Sequence, residues 1–293
     1  MLMKMNKLIL GTVQMGLDYG INNSNGQISL ADSFQILKTA HEAGVRYLDS
    51  AEAYGSAHRV IGQYHQAFPD HKFEVVTKLP HVINEDISDK IEHYLEDLHV
   101  ENLHALLFHS YTSYRENETQ LKKLVHFKNQ GLVKKFGVSV YTNEEIEVAI
   151  NDDEIDIIQF PYNLLDNYNL RGEVLNKAKA KGKLIQTRSC FLQGLFFLPL
   201  NSTNKIAGLL HKELTALESI AGTTGTPMQQ MALNYCLQEE LIDYVLIGVD
   251  NLAQLDGNIK YVNNSIVSST IQEINKIKVQ DLRLLNPSLW TAL

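Results

Sequence analysis

Short apolar runs alternate with longer stretches of helical spacing along nearly the whole chain. The strand-like runs are residues 7–12, 45–50, 72–78, 103–109, 134–140, 154–160, 183–189 and 244–249, dense in Val, Ile, Leu and Phe rather than cleanly alternating. Density of that kind is expected of strands buried on both faces in a parallel sheet. Residues 29–44, 87–100, 113–131, 142–151, 169–182, 205–221, 227–238 and 251–262 carry apolar positions at helical intervals, and Ser29 or Asp32 offers an N-cap to the first. Gly44, Gly131 and Gly182 each separate a helical run from the next strand, where a left-handed C-cap belongs. Residues 262–278 read as one further helix on the outside, and Pro287 interrupts the tail beyond it.

Strand and helix therefore alternate eight times in 293 residues, with no linker and no shift in composition. The pattern predicts an α/β chain folded as a single-domain (β/α)8 TIM barrel over residues 1–293, with a C-terminal helix and tail from about residue 261. An open doubly wound sheet is the alternative, but its usual signal, G-x-G-x-x-G opening the first helix, is absent.

Composition narrows the classes. With 44% hydrophobic and 20% charged residues the chain falls among globular proteins, and a net charge of -8 offers no footprint for nucleic acid or anionic lipid. Two cysteines, Cys190 and Cys236, suggest neither a disulfide framework nor a metal site, so a reducing cytoplasm is the expected home. The most apolar run, residues 190–200, contains Gly and Pro and is too short to cross a bilayer, and no signal peptide is read at the N-terminus.

In a barrel of this kind the chemistry lies where the strands end. Those ends carry Thr12, Asp49, Lys78, His109, Ser139, Gln159, Arg188 and Gly248, with Tyr54 in the loop after the second strand. Asp49, Tyr54, Lys78 and His109 come from consecutive units, so strand pairing would gather them in one pocket. A phenol with a pKa of about 10 yields its proton slowly unless a cation stabilises the phenolate. Lys78 would supply that cation, Asp49 would hold the buried amine, and His109 would hydrogen-bond the oxygen the phenol approaches. The set is a general acid beside an oxygen-binding site, which suits reduction of a carbonyl to an alcohol. Singly, each residue has a structural account: Lys78 as a strand-end lysine, Asp49 as a cap, His109 as a core histidine. The remaining histidines have no metal-ligand spacing.

Across residues 7 to about 260 the chain resembles the aldo-keto reductase family. Residues 48–55, LDSAEAYG, resemble its D-[ST]-A-x-x-Y-G segment; VVTKL (75–79) resembles its lysine strand, and LLFHS (106–110) its histidine strand. FGVSVY (136–141), IIQFPYNLLD (157–166), RSCFLQGLF (188–196) and VLIGVDNLAQLDGN (245–258) are similar to its later motifs, in order and at barrel spacing. The resemblance implies a nicotinamide cofactor extended across the barrel mouth and Tyr54 as proton donor. It further implies Ser139 and Gln159 at the carboxamide and Thr12 and Asp49 near the nicotinamide ribose. The loop from Ser189 through Gly194 to Leu195 would lie along the pyrophosphate, with Gln254 and Asn258 near the adenine.

The chain departs from that pattern in three places. Val140 replaces the Asn that usually follows Ser139; Arg188 stands where many relatives have an aromatic; Gly248 and Gln254 stand where relatives that prefer NADP carry Lys and Arg. Family habit implies NADP(H), and these replacements leave NAD(H) open. Arg188 would clamp a substrate anion or the pyrophosphate, or make a structural salt bridge with an acid at the mouth. Tyr162 is expected to serve packing, and Trp290 either to pack on the wall or to cover the mouth as a lid. The alternative to a reductase is a cofactor-binding regulatory or redox-sensing module with little turnover; a weaker one is a barrel isomerase or lyase without hydride transfer. The substrate is a small carbonyl or alcohol compound, with a tilt towards a sugar derivative, and oligomeric state is not legible.

Overall fold

The computed structural model describes residues 2–23 and 25–292. Parallel strands close into a barrel in chain order: β1 (Leu8–Gly11), β2 (Tyr47–Asp49), β3 (Glu74–Lys78), β4 (Ala105–Phe108), β5 (Phe136–Ser139), β6 (Ile157–Pro161), β7 (Leu184–Arg188) and β8 (Tyr244–Ile247). Strand β8 returns to β1, with Leu8 opposite Val245, so the sheet has no edge. Among the described residues no helix is long and apolar enough to cross a membrane.

Every sequence-predicted strand is present, but each ladder is shorter than its apolar run. Val45, Phe73 and Leu103 are buried just ahead of β2, β3 and β4 because helices cover them, without belonging to those strands. Period-two alternation divides the strand residues between two cores. Outward positions such as Leu10, Leu48, Val75, Leu106 and Ile158 join the large cluster against the helices. Val76, Ala105, Leu107 and Ile157, with Leu184 beside them, form a separate small cluster. Near the strand N-termini, Tyr47 packs on His104 and Tyr244, with ring centroids 4.7 and 5.2 Å apart. Two residues further along the same faces come Asp49, Lys78, His109, Ser139, Gln159 and Gln186, so the alternation that builds the core also delivers the polar mouth.

Helix termini follow the sequence where capping chemistry sets them. Ser29 accepts from Asp32 N, and Thr142 and Glu145 form a capping box at the start of Asn143–Ile150. Gly44 ends Leu30–Ala43 at φ 103°, a left-handed conformation costly to other residues. Elsewhere the chain differs from its periodicity. The run 113–131 is interrupted at Asn117, whose side chain takes the carbonyl of Ser113 four residues back. The run 205–221 turns at Leu210, and 262–278 contributes the helix Ser268–Asn275. The tail packs rather than swings free: Trp290 donates to Leu284 O at 3.0 Å and rests against the main cluster.

The helix Ala57–Ala67 is not visible in the hydrophobic pattern, because its buried face includes His58, Gly62 and His65. Gly62 lets it approach the helix Ile87–Leu98: a Cβ there would come within 1.9 Å of Asp97 O. His65 joins the two. Its Nδ1–H donates to Leu98 O at 2.8 Å, and its Nε2 accepts from Phe73 N at 3.1 Å. Only the neutral ring makes both bonds, and burial holds its pKa down to about 4, the Leu98 carbonyl partly opposing.

Acid therefore works against this bridge. Because the folded pKa lies below the ordinary 6.5, the unfolded chain binds a proton that the native state refuses. His65 leaves stability whole above about 6.5 and erodes it as pH falls through about 4, by on the order of 2–3 kcal/mol. Urea unfolding at about pH 7 and about pH 5 should show the loss, and His65→Gln, weaker at neutral pH, should lose less on acidification. An equal acid loss in both proteins would remove His65 from this role.

Candidate functional site

Asp49 ends β2 at 1% exposure, and a carboxylate so placed must collect donors to remain charged. Its Oδ1 accepts from Lys78 Nζ, itself 2% exposed at the end of β3. Its Oδ2 accepts from Gln159 Nε2 at 2.8 Å and Gln186 Nε2 at 2.9 Å. A carboxylate only accepts, so both amides must turn their nitrogens inward, which leaves Gln159 Oε1 and Gln186 Oε1 buried without partners. Lys78 Nζ also donates to Ser50 O at 3.1 Å.

Tyr54 sits on the turn between β2 and Ala57–Ala67, with Lys78 Nζ 5.2 Å from its ring centroid. His109 meets the same ring edge-on, centroids 5.8 Å apart, and His81 stacks on His109 at 4.3 Å. Strand neighbours thus bring Asp49, Tyr54, Lys78 and His109 together, as their order in the chain predicts. The electrostatics differ from the expectation of a phenol lowered by its lysine. Burial, then the charge of Asp49, pushes the Tyr54 phenol well above its usual range, while Arg188 opposes them. Burial also lowers the Lys78 ammonium, against the pull of Asp49. His109 is held down to about 3, first by burial and then by Lys78, His81 and Arg188, so the ring is neutral.

Arg188, at the end of β7, sits over the Tyr141 ring, its guanidinium carbon 3.9 Å from the centroid. It donates to Ser139 Oγ at 3.3 Å and Val140 O at 3.1 Å. The acid partner weighed from sequence is not there: the ion pairs among the described residues do not include Arg188. Its platform is fixed from behind. Arg171 donates to Tyr141 O at 2.7 Å while holding Asp166 through two bonds of 2.5 and 2.9 Å. Tyr162 packs instead, stacked on Tyr235 at 5.3 Å.

A cleft of about 510 Å³ opens at the ends of β1, β2 and β7, passes the end of β8 and reaches the gap between the helices Met228–Leu237 and Leu252–Val262. Thr12, Asp49, Tyr54, Arg188, Ser189, Gly194, Gly248, Gln254 and Asn258 line it. Ser139, Gln159 and Leu195 do not. Ser139 is engaged by Arg188, Gln159 by Asp49, and Leu195 is in the main apolar cluster. Ser189 holds a left-handed φ of 60° and Asn163 Nδ2 donates to its carbonyl at 3.1 Å, so a strained turn is braced at the cleft wall.

The lining fits a dinucleotide. Bare backbone forms parts of both walls: a Cβ on Gly248 would come 2.9 Å from Gln14 Nε2, and one on Gly194 2.8 Å from Asn22 Cβ. Gln14 Oε1 is buried without a partner at the same place, an acceptor facing a polar ligand's path.

Sequence reasoning missed Gln186, Gln14 and Asp250. Gln186 was within reach, since it lies two residues before Arg188 and opposite Gln159 on the β6–β7 ladder. Gln14 was hidden because residues Val13–Gly16 form a helical turn too short to show a period.

This barrel and cleft agree with what is known of other chains. The Aldo/keto reductase family model matches residues 7–279, and the chain belongs to that family. It is thus an NAD(P)H-dependent oxidoreductase. It is 24% identical to an L-glyceraldehyde 3-phosphate reductase of Escherichia coli O157:H7, over 94% of this chain and 91% of the relative. It is 22% identical to a D-threo-aldose 1-dehydrogenase of a Pseudomonas species, over 90% and 94%. Its fold matches an aldo-keto reductase of Bacillus halodurans solved in its holo form, at TM-score 0.77 and 17% identity over 94% and 93% of the two chains. The glycerol dehydrogenase of Gluconobacter oxydans matches at TM-score 0.74 and 17% identity over 92% and 90%.

The Tyr54 turn is seated on the Val13–Gly16 turn. A Cβ on Gly16 would fall 1.7 Å from Tyr54 O and 2.7 Å from Ala57 N, both backbone atoms that cannot step aside. Gly16→Ala should therefore unseat the turn, lowering stability by ~1–3 kcal/mol in urea unfolding and speeding hydrogen exchange at residues 54–57. Unchanged exchange there would show that the two turns are independent.

Proposed function

We propose that the protein reduces the carbonyl of a small aldehyde or ketone to the alcohol, with Tyr54 as the proton donor. The observation that carries this reading is the sealed Asp49–Lys78 pair beside Tyr54 and His109 at the inner end of the cleft. A reduced nicotinamide dinucleotide, when bound along the cleft, would supply the hydride. Thr12 and Asp49 would lie near its ribose and the backbone from Ser189 to Gly194 along its pyrophosphate, while Gln159 and Ser139, which the resemblance puts at its carboxamide, do not line the cleft and are engaged by Asp49 and Arg188. Gly248, Gln254 and Asn258 would border the adenine.

The residues divide the proton work. Neutral His109 hydrogen-bonds the substrate oxygen and fixes its direction. Tyr54, whose proton is firmly held in the resting protein, releases it only when negative charge develops on that oxygen. The proton passes from Tyr54 Oη to the new alkoxide, and Lys78 faces the phenolate left behind. Asp49 keeps the ammonium in place and charged against the cost of burial. In the opposite direction the phenolate takes the alcohol proton.

The substrate reading rests on Arg188. A guanidinium at the inner end of the cleft, with no carboxylate partner among the described residues and N–H groups to spare, would orient a phosphate or carboxylate on the carbonyl compound. The names of the two curated relatives, both acting on sugar-derived compounds, support a sugar derivative.

Two variants test these roles. Tyr54→Phe should lower kcat by about 10²–10⁴-fold while dinucleotide affinity, measured by calorimetry, stays within a few-fold. Equal loss of both would make Tyr54 a binding residue. Arg188→Ala should raise KM for a phosphorylated aldehyde by roughly 10–100-fold and change a neutral aldehyde little. Equal effects on both would return Arg188 to a structural role.

A further inference from the structure

We infer that the cleft selects NAD(H) over NADP(H), and that Asp250 is the residue that does so. The inference rests on the reading of the cleft as a dinucleotide site. With the nicotinamide beside Asp49 and Tyr54, the cleft would offer the rest of the molecule one course, outward past β8 towards Gln254 and Asn258. Gln229 Nε2 donates to Asn258 Oδ1 at 2.9 Å and marks the far limit of that course.

Asp250 stands on the way, in the turn from β8 to Leu252–Val262. Its Oδ1 accepts from Gln14 Nε2 at 3.3 Å, its Oδ2 from Gln254 Nε2 at 3.1 Å, and its N–H donates to Gln254 Oε1 at 2.8 Å. The carboxylate is thus fixed in direction by two amides that carry no charge. Among the described residues lining the cleft the one cation is Arg188, which is bound to Tyr141, Ser139 and Val140 at the opposite end. The next residue, Asn251, is committed to capping the helix, its Oδ1 accepting from Gln254 N at 3.0 Å.

A ribose 2′-hydroxyl is a donor, and each oxygen of Asp250 keeps a lone pair for it. A 2′-phosphate brings acceptor oxygens and roughly two negative charges against a carboxylate with no cationic partner among the described residues. An acid that binds the ribose hydroxyls and an Arg that admits the phosphate divide NAD from NADP in the same way on dinucleotide folds of other topology. The preference for NADP(H) implied by family habit is thereby reversed for this chain. Gln254, one of the two positions where the Lys and Arg of NADP-preferring relatives were expected, instead serves to hold the acid.

The test is calorimetric titration of the purified protein with NADH and with NADPH, and with ADP-ribose against its 2′-phosphate, none of which requires turnover. The expected result is binding of NADH and ADP-ribose roughly tenfold or more tighter than of their 2′-phosphorylated forms. The gap should narrow as salt rises, because repulsion is screened, and Asp250→Asn should narrow it by improving the phosphorylated ligands. NADPH binding as tight as NADH, or a gap that neither salt nor Asp250→Asn moves, would overturn the inference and leave the cleft a dinucleotide site. Binding of none of the four would overturn the dinucleotide reading and the inference with it. Should Asp250→Asn fail to fold, the native ratio and its salt dependence decide.

Discussion

The buried carboxylate of Asp49 is the constraint on which the barrel mouth depends. Moving an ion of this size out of water costs several kcal/mol, and a lone buried charge would neutralise itself or drag water inward. Here the charge is met by Lys78 from β3 and by the amides of Gln159 and Gln186 from β6 and β7. One side chain therefore ties β2 to its neighbour and to strands across the barrel, and orients each partner. The arrangement explains why the mouth can be polar and still sealed. It also sets Lys78, whose ammonium burial lowers against the pull of Asp49, facing the Tyr54 ring.

A second charged group works at a distance from the first. Asp166 and Arg171, both buried, lock the carbonyl of Tyr141, and the Tyr141 ring in turn carries Arg188. The consequence is an arginine held in place by an aromatic face and by neutral acceptors, with its charge left uncompensated towards the cleft. Asp250 reverses the sign at the far end, where amides and not cations hold it. The cleft carries Arg188 at the end where Tyr54 and Asp49 stand and Asp250 where it leaves the barrel. Opposite ends are therefore suited to different parts of a ligand: an anionic or electron-rich group by Arg188, hydroxyl groups by Asp250.

Close backbone contact sets the remaining geometry. The absence of a Cβ at Gly16 allows the Tyr54 turn to rest on the first βα turn, and the absence of one at Gly62 allows the second and third helices around the barrel to touch. His65 then bridges those helices with a neutral ring whose two nitrogens have opposite tasks. None of these contacts is apolar in the ordinary sense, and the one at Gly16 seats the Tyr54 turn.

By itself the sequence determined the class of fold, the order of the strands and which side chains gather at the strand ends. The reason is that strand burial, helix period and caps such as Ser29 and Thr142 are local properties. Alternation along β2, β3 and β4 likewise places Asp49, Lys78 and His109 without reference to anything distant. What it could not show depends on contacts between segments far apart in the chain. The helix Ala57–Ala67 escaped notice because its packing uses histidine and glycine, whose burial is decided by partners at Leu98, Phe73 and Asp97. Gln186 is an ordinary strand glutamine until the closed barrel sets it against a carboxylate 137 positions away. The pKa of Tyr54 was expected to follow its lysine, whereas desolvation, a property of the assembled mouth, governs it. Asp250 likewise acquires its surroundings only when Gln14, 236 positions earlier, donates to it across the cleft, with Arg188 at the other end. Tertiary structure decided these matters because dielectric and charge neighbourhood are properties of three-dimensional surroundings and are not carried by any short stretch of chain.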